Sequence, residues 1–152
     1  MGKSQKLGNM PNAPAFSAHR SSTNQSITTA TWTKVECQTE EFDTASAYDN
    51  ATNFRFTPQV AGYYQVSGTL YFTATGLTNV GVQIYKNGAA AKIGTTVQIP
   101  SSSEGGSSVA ALIYMNGTTD YLELFGFAAG TSPAVLAGAN TSFFQACLVR
   151  AA

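Results

Sequence analysis

Residues 62–72, GYYQVSGTLYF, alternate with a period of two, so that in a β-strand Tyr64, Val66, Leu70 and Phe72 share one side and Tyr63 and Tyr71 the other. Both sides are apolar. The same doubling recurs in 121–127, where Leu122 and Leu124 oppose Tyr121, Phe125 and Phe127, and in 143–149, where Phe144, Ala146 and Leu148 oppose Phe143, Cys147 and Val149. An antiparallel sheet in a lone sandwich turns one face to water, and an exposed apolar patch of this extent is unusual for a soluble monomer. The second face must be covered. The pattern offers no helix and no loop apolar enough for the task, so a further copy of the chain is the simplest cover. The expected contact residues are Tyr63, Tyr71, Phe125, Phe127 and Phe143. Burying five such aromatics, at about 150 Å² or more each and ~25 cal/mol per Å², gives over ~10 kcal/mol gross per subunit before ordering costs.

From Ala15 onward, short β-branched or aromatic runs are separated by turn residues, and no 3.6-residue stripe competes with them. Strands are expected at 15–21, 27–35, 36–42, 53–56, 63–74, 80–85, 89–98, 108–115, 121–128 and 142–149. The fold class is all-β, a sandwich or barrel. Asn87-Gly88 marks a hairpin, because both central positions of a tight two-residue turn need positive φ, and Asn116-Gly117 is read the same way between the next two strands. Residues 100–107, PSSSEGGS, and 130–141 are expected to be surface loops. Ahead of a domain at 15–152, residues 1–14 carry Lys3, Lys6, Leu7, Pro11 and Pro14 without periodicity and read as an extended arm.

Composition narrows the partners. The 152-residue chain is 43% hydrophobic and 11% charged, well under the roughly 25% charged of an ordinary soluble protein. Ser, Thr, Asn and Gly fill the gap. Eight basic and eight acidic residues cancel, which leaves no cationic excess to drive binding to nucleic acid or an acidic membrane. No apolar run approaches the ~18 residues of a membrane-spanning helix, and no apolar stretch follows the early lysines as a secretion signal would. Lys6 stands where a myristoylation start needs Ser or Thr. Neither nucleic acid nor membrane insertion is expected.

Candidate chemistry is sparse. His19, the one histidine, lies in a strand-like run and is expected as a hydrogen-bonded structural side chain rather than a general base. The sequence has no His–Cys or His–carboxylate metal spacing, no Gly-x-Ser-x-Gly elbow and no glycine-rich phosphate loop. No enzyme and no cofactor is expected. The acidic run Glu36, Glu40, Glu41 and Asp43 lacks the loop spacing calcium needs and reads as a solvated strand edge. Cys37 and Cys147 fall in apparent strands and are too few for a disulfide framework, although a single bridge stays open. Sequons at Asn24, Asn50, Asn116 and Asn140 carry little weight in a chain so rich in Asn, Ser and Thr.

Four segments nevertheless share a pattern. YDNATNFRFTPQVAGYYQVSGTLYF (48–72) resembles the heart of the complement C1q globular-head family, with Tyr48, Asp49, Thr52, Phe54, Pro58, Gly62 and Tyr64 falling on it in order. AFSAHRSS (15–22) resembles that family's opening strand, YKNG (85–88) its Lys-Asn-Gly hairpin, and SFFQACLV (142–149) its closing strand. Asn53, Val66 and Ala146 depart from the pattern. The resemblance spans about 15–149 and implies a ten-stranded jelly roll, shared with the tumour necrosis factor family, that assembles as a homotrimer with one sheet toward the threefold axis. Tyr63 and Tyr71 would then meet their symmetry mates. Family members sometimes bind calcium, which the carboxylate spacing here does not support, and Asp49 fits a turn cap as well as a binding role.

A short arm, low charge and a hydroxyl- and amide-rich surface look like the trimeric decoration proteins, head fibres or tail knobs of bacteriophages. The expected function is a virion structural protein whose Lys3, Lys6 and Leu7 attach to other virion proteins, capsid or fibre, and whose body stabilises the shell or touches a host surface glycan or protein. The alternative is the globular head of a secreted, extracellular C1q-like recognition ligand. Fold alone does not choose between them.

Overall fold

The computed structural model describes residues 13–152, whose regular structure is entirely β. The strands are β1 (Ala15–His19), β2 (Gln25–Ser26), β3 (Thr33–Lys34), β4 (Thr39–Asp43), β5 (Tyr48–Asp49), β6 (Arg55–Phe56), β7 (Gly62–Lys86), β8 (Ala89–Met115), β9 (Leu122–Val135) and β10 (Phe143–Ala151). Hydrogen bonding joins them in the order β4-β1-β10-β7-β9-β6-β5, with β8 on β7 and with β2 and β3 on β9. The ladder is continuous yet folds onto itself as a near-barrel sandwich. Residues 62–69 of β7 lie between β10 and the second half of β8, in a first layer, and residues 79–86 lie between β9 and the first half of β8, in a second; Phe72 and Thr73 pair with the end of β9.

The bend falls at 73–79, where β7 slips register against both β8 and β9, as bulges do when they turn a strand. Gly76, Ser101 and Ser132 take positive φ at the same level of the three strands (64°, 30° and 52°). Residues 63–74 and 80–85 are therefore one strand instead of two, and so are 89–98 and 108–115. The expected loop at 100–107 is ladder instead, pairing Glu104 with Thr73 and Gly106 with Tyr71. Its Ser and Gly side chains carry no strand signal, and the neighbouring strand supplies what they lack. β9 likewise runs through 130–135, and the expected strand at 27–35 breaks into β2 and β3 around a turn with Ala30 at φ 54°.

Asn87 and Gly88 adopt φ of 54° and 78° and close the β7–β8 hairpin at Lys86↔Ala89, as a two-residue primed turn requires. Asn116-Gly117 does something else. Asn116 Oδ1 accepts from the backbone N–H of Thr118, Thr119 and Asp120 at 2.9–3.0 Å, and this cap lets the chain cross between layers without pairing β8 to β9.

The core grows from the family-like motifs. Phe16 stacks on Tyr48 and Phe56 at 4.6 and 4.5 Å and meets Phe144 edge-on at 5.1 Å. Tyr64, Val66, Leu70 and Phe72 are fully buried from β7. Buried hydroxyls find partners: Tyr48 Oη donates to the Cys37 carbonyl (3.0 Å) and Tyr64 Oη to that of Val60 (2.8 Å). Asp49 caps the following turn, accepting from the N–H of Thr52, Ala51 and Asn53 and from Asn53 Nδ2 at 2.7–3.1 Å. Those bonds, Thr52 first, hold its carboxyl down at about 2. Cys37 is buried outside any strand, its thiol pushed up to about 12 by burial, whereas Cys147 is exposed on β10. Both are free, so the bridge left open by the sequence does not form.

Inward, Gly68 of β7 faces Leu124 of β9 so closely that a Cβ would collide with Leu124 Cδ1. Gly68→Val should therefore lower the unfolding free energy by about 1–3 kcal/mol. Gln65→Val, on the exposed side of the same strand, should stay within about 0.5 kcal/mol of wild type, both read as urea midpoints at unchanged m.

Candidate assembly face

Tyr63, Tyr71 and Phe143 come together on the outer side of the first layer. Alternation from the buried Tyr64, Leu70 and Phe144 puts them there. The registers Tyr63↔Tyr114, Gln65↔Leu112, Ser67↔Ala110, Thr69↔Ser108 and Tyr71↔Gly106 set the β8 side chains beside those of β7. Phe143↔Thr69, Gln145↔Ser67 and Cys147↔Gln65 add those of β10. Both ends of this face are aromatic and its middle is small and polar. At one end the rings of Tyr63 and Tyr114 tilt together at 5.5 Å. At the other, Tyr71 lies over Gly106, where a Cβ would come within 2.8 Å of the ring. Between them, Gln145 Nε2 donates to Ser67 Oγ (3.1 Å), and the hydroxyls of Thr69 and Ser108 are 3.0 Å apart.

Phe42, on edge strand β4 opposite Ser17, extends the face. Phe42, Tyr63, Tyr71, Leu112 and Tyr114 are 43–54% exposed and make up five of the seven large apolar side chains exposed among the described residues. Sequence reasoning did not single out Leu112, Tyr114 or Phe42. The signal for two of them was present: in 108–115, Val109, Ile113 and Met115 alternate with Ala110, Leu112 and Tyr114, the same two-sided pattern.

Phe125 and Phe127 do not join this group, which corrects the expectation that all five aromatics share one contact. β9 lies in the second layer with Leu124 and Gly126 toward the core, so alternation sends Phe125 and Phe127 to the opposite outer surface. There the same chain half-covers them. Tyr85 stacks on Phe125 at 3.8 Å and 14°, and Trp32, carried on the turn between β2 and β3, packs on Phe127 at 5.3 Å.

At the Tyr114 end of the first-layer face one charged network closes within the chain, while Arg150 of β10 stands exposed opposite Tyr63. Lys86 Nζ donates to the Tyr114 carbonyl (2.7 Å) and pairs with Asp120 Oδ2 (2.8 Å), while Asp120 also accepts from Asn87 Nδ2 and the Asn116 N–H. Burial pushes the Asp120 carboxyl up, but donation from Asn87, Lys86 and Asn116 outweighs it and holds the group below the usual carboxylate range. The network ties the Asn87 hairpin, the crossing at 116–121 and the end of β8 into one rigid corner.

The remaining candidates are dispersed. His19 Nδ1 is buried without a hydrogen-bond partner, contrary to the expected hydrogen-bonded role. Of the acidic run, Glu36 pairs with Arg20 (3.5 Å), Glu41 accepts from Ser17 Oγ (2.7 Å) and Asp43 accepts from the Tyr48 N–H (2.7 Å). Among the described residues no three His, Cys, Asp or Glu gather as a metal would need. Lys3, Lys6 and Leu7 lie outside the described residues. The described chain is fastened from its start: Thr44 Oγ1 donates to the Ala13 carbonyl and the Leu148 N–H to that of Pro14, each at 2.9 Å.

No protein-family model and no curated protein matches the chain in sequence. Solved structures do match. The Eiger TNF structure from S. frugiperda is similar at 11% identity and TM-score 0.70, over 92% of this chain and 95% of that one. The globular domain of zebrafish complement 1qA protein is similar at 16% identity and TM-score 0.64, over 92% and 99%. Murine APRIL is similar at 8% identity and TM-score 0.66, over 90% and 98%. At these identities the likeness establishes the fold: a C1q/TNF-like jelly roll.

Asp49 and Asp120, both held below the ordinary carboxylate value, contribute stability that is complete above that value, ~3.9 for a free Asp side chain, and is lost as pH falls through their folded values. For Asp49 that limit is about 2. Melting temperature should fall steeply on acidification below about pH 4. Asp120→Asn should lower the melting temperature at pH 7 and flatten the acid limb, which melting curves from pH 7 to pH 2 will measure.

Proposed function

We propose that the protein is a non-enzymatic homotrimer in which the Tyr63, Tyr71, Tyr114, Leu112 and Phe143 face of each copy is buried against its neighbours. The concentration of exposed apolar side chains on that single face carries this reading. Water does not stabilise such a surface, and a cyclic arrangement of identical chains covers it without a second gene product. The small polar middle of the face, Ser67, Thr69 and Ser108, lets neighbouring backbones approach while the aromatic ends interlock. The trimer, specifically, is what the resemblance to the C1q globular-head family implies.

Within that reading the trimer serves as a bacteriophage virion structural protein: a capsid decoration, head fibre or tail knob. Lys3, Lys6 and Leu7 of the arm attach it to other virion proteins, and the body stabilises the shell or contacts the host surface. Support comes from the 11% charge content and the balance of eight basic against eight acidic residues. The second reading, the head of an extracellular C1q-like ligand, is favoured by the fold shared with Eiger TNF and complement 1qA. Among the described residues no helix is long and apolar enough to cross a membrane. Protein composition of purified virions separates the two readings: presence in multiples of three supports the first, and Gly-x-y repeats encoded upstream support the second.

Light scattering should give three times 15.9 kDa for the wild type. Tyr71→Asp should reduce the mass to one chain with the β-sheet circular dichroism retained. Cys147, beside Gln65 on the covered face, should resist thiol reagents in the assembly and react in Tyr71→Asp, while the buried Cys37 stays silent in both. A folded wild-type monomer at micromolar concentration would refute the assembly.

A further inference from the structure

On the outer surface of the second layer, rings and amides lie side by side. β9 presents Phe125 and Phe127, and β7 presents Gln83 and Asn79 on either side of Gly81, in the registers Gln83↔Phe125, Gly81↔Phe127 and Asn79↔Ala129. Trp32, the sole tryptophan, lies over the bare Gly81, where a Cβ would come within 2.9 Å of its Cη2. Tyr85 completes the surface by stacking on Phe125. The side-chain oxygens of Gln83 and Asn79 are shielded from water and accept no hydrogen bond, an arrangement that folded chains rarely leave standing. Both residues are only partly buried, and a ligand that offers donors would draw each oxygen outward through a change of side-chain rotamer. Of the cations on neighbouring strands, Lys34 pairs with Glu123 at 3.2 Å and Arg55 rests 4.5 Å from the centre of the Tyr121 ring, while Lys92 of β8, opposite Ile84, is exposed.

We propose that this face binds a neutral oligosaccharide. The C–H faces of its sugar rings lie on Trp32 and on the Phe125–Tyr85 pair, and its hydroxyls donate to the amide oxygens of Gln83 and Asn79. Stiff aromatic rings give contact area at low entropic cost, and a few polar groups fix orientation. Among the described residues, a polyanion would meet here a single cation outside an ion pair or ring contact, Lys92, too few to hold a row of charges. The inference names the partner class for the host contact, and it rests on the assembly reading for one point only. With the first-layer face covered by other copies, the second-layer face is the one that looks outward.

Trp32 reports binding through its own fluorescence. Titrating the full-length protein with neutral linear hexasaccharides of glucose, mannose, galactose and N-acetylglucosamine should give a saturable change with at least one of them, and heparin should give none. Calorimetry should find that sugar bound about tenfold or more weakly by Gln83→Ala, whose amide oxygen is gone. Trp32→Phe, which keeps a ring, should retain more affinity than Trp32→Ala. Light scattering on the same samples keeps the two readings apart, since loss of binding at unchanged mass concerns this face alone. No response to any of the neutral sugars from the folded wild type, a response to heparin alone, or undiminished binding in both Gln83→Ala and Trp32→Ala would overturn the proposal. A wild-type monomer that binds the sugar would support it and overturn the trimer instead.

Discussion

Strand alternation carried through strands that belong to both layers is the constraint on which this molecule depends. β7 gives Tyr64, Val66, Leu70 and Phe72 to the core from the first layer, and Val80, Val82 and Ile84 from the second. Even-numbered residues point inward at both ends because the register slips between 73 and 79 restore the phase, with Leu77 buried between them. A net slip of one residue would turn an entire half-strand inside out, exposing three core side chains and burying Gln83 and Tyr85. The bulges are thus what allows one continuous ladder to enclose a single core.

The same alternation dictates two outer surfaces, and the chain treats them differently. On the second layer, Tyr85 and Trp32 shelter Phe125 and Phe127 within the molecule. On the first, Tyr63, Tyr71, Leu112 and Tyr114 have only one another and stay about half exposed. The Trp32 ring reaches Phe127 and Gly81 because the turn between β2 and β3 lies alongside β9, to which both short strands are bound. No comparable segment among the described residues passes over β10 and the first half of β7. Intrachain cover on one side and little on the other is what singles out the first-layer face as the candidate for contact with further copies.

How much of this could be read from the sequence depends on the range of the interaction involved. The two-sided character of 62–72 was legible because a period of two needs only neighbours along the chain, and Tyr63 and Tyr71 stand where it puts them. Asn87-Gly88 was legible because positive φ at two consecutive positions is a local demand. Assignment of Phe125 and Phe127 to the wrong surface had a nonlocal cause. Alternation says that two sides differ, yet it does not say which layer a strand joins, and β9 joins the second by pairing with residues 79–86. Trp32 as a cover was hidden for the same reason. The ladder at 100–107 was missed because Ser and Gly are paired there by the aromatic stretch of β7 and contribute little of their own. Asn116-Gly117 shares its dipeptide with the hairpin but caps a crossing, and the difference lies in which strands meet afterwards.

Sparse charge bears on how the first-layer face can be held. The ion pairs among the described residues, Arg20–Glu36, Lys34–Glu123 and Lys86–Asp120, all close within the chain, and the first two lie away from that face. Contact between copies, as proposed, would draw chiefly on burial of Tyr, Leu and Phe surface and on hydroxyl and amide hydrogen bonds, with Arg150, opposite Tyr63, a charge beside them that no ion pair among the described residues engages. Such a contact would have weak long-range steering and a modest dependence on ionic strength, because screening acts on charges it uses sparingly. Burial of apolar surface also weakens on cooling. An assembly built this way would be held by shape and apolar area, and an aspartate placed among the aromatic rings would have to give up its water to be buried there.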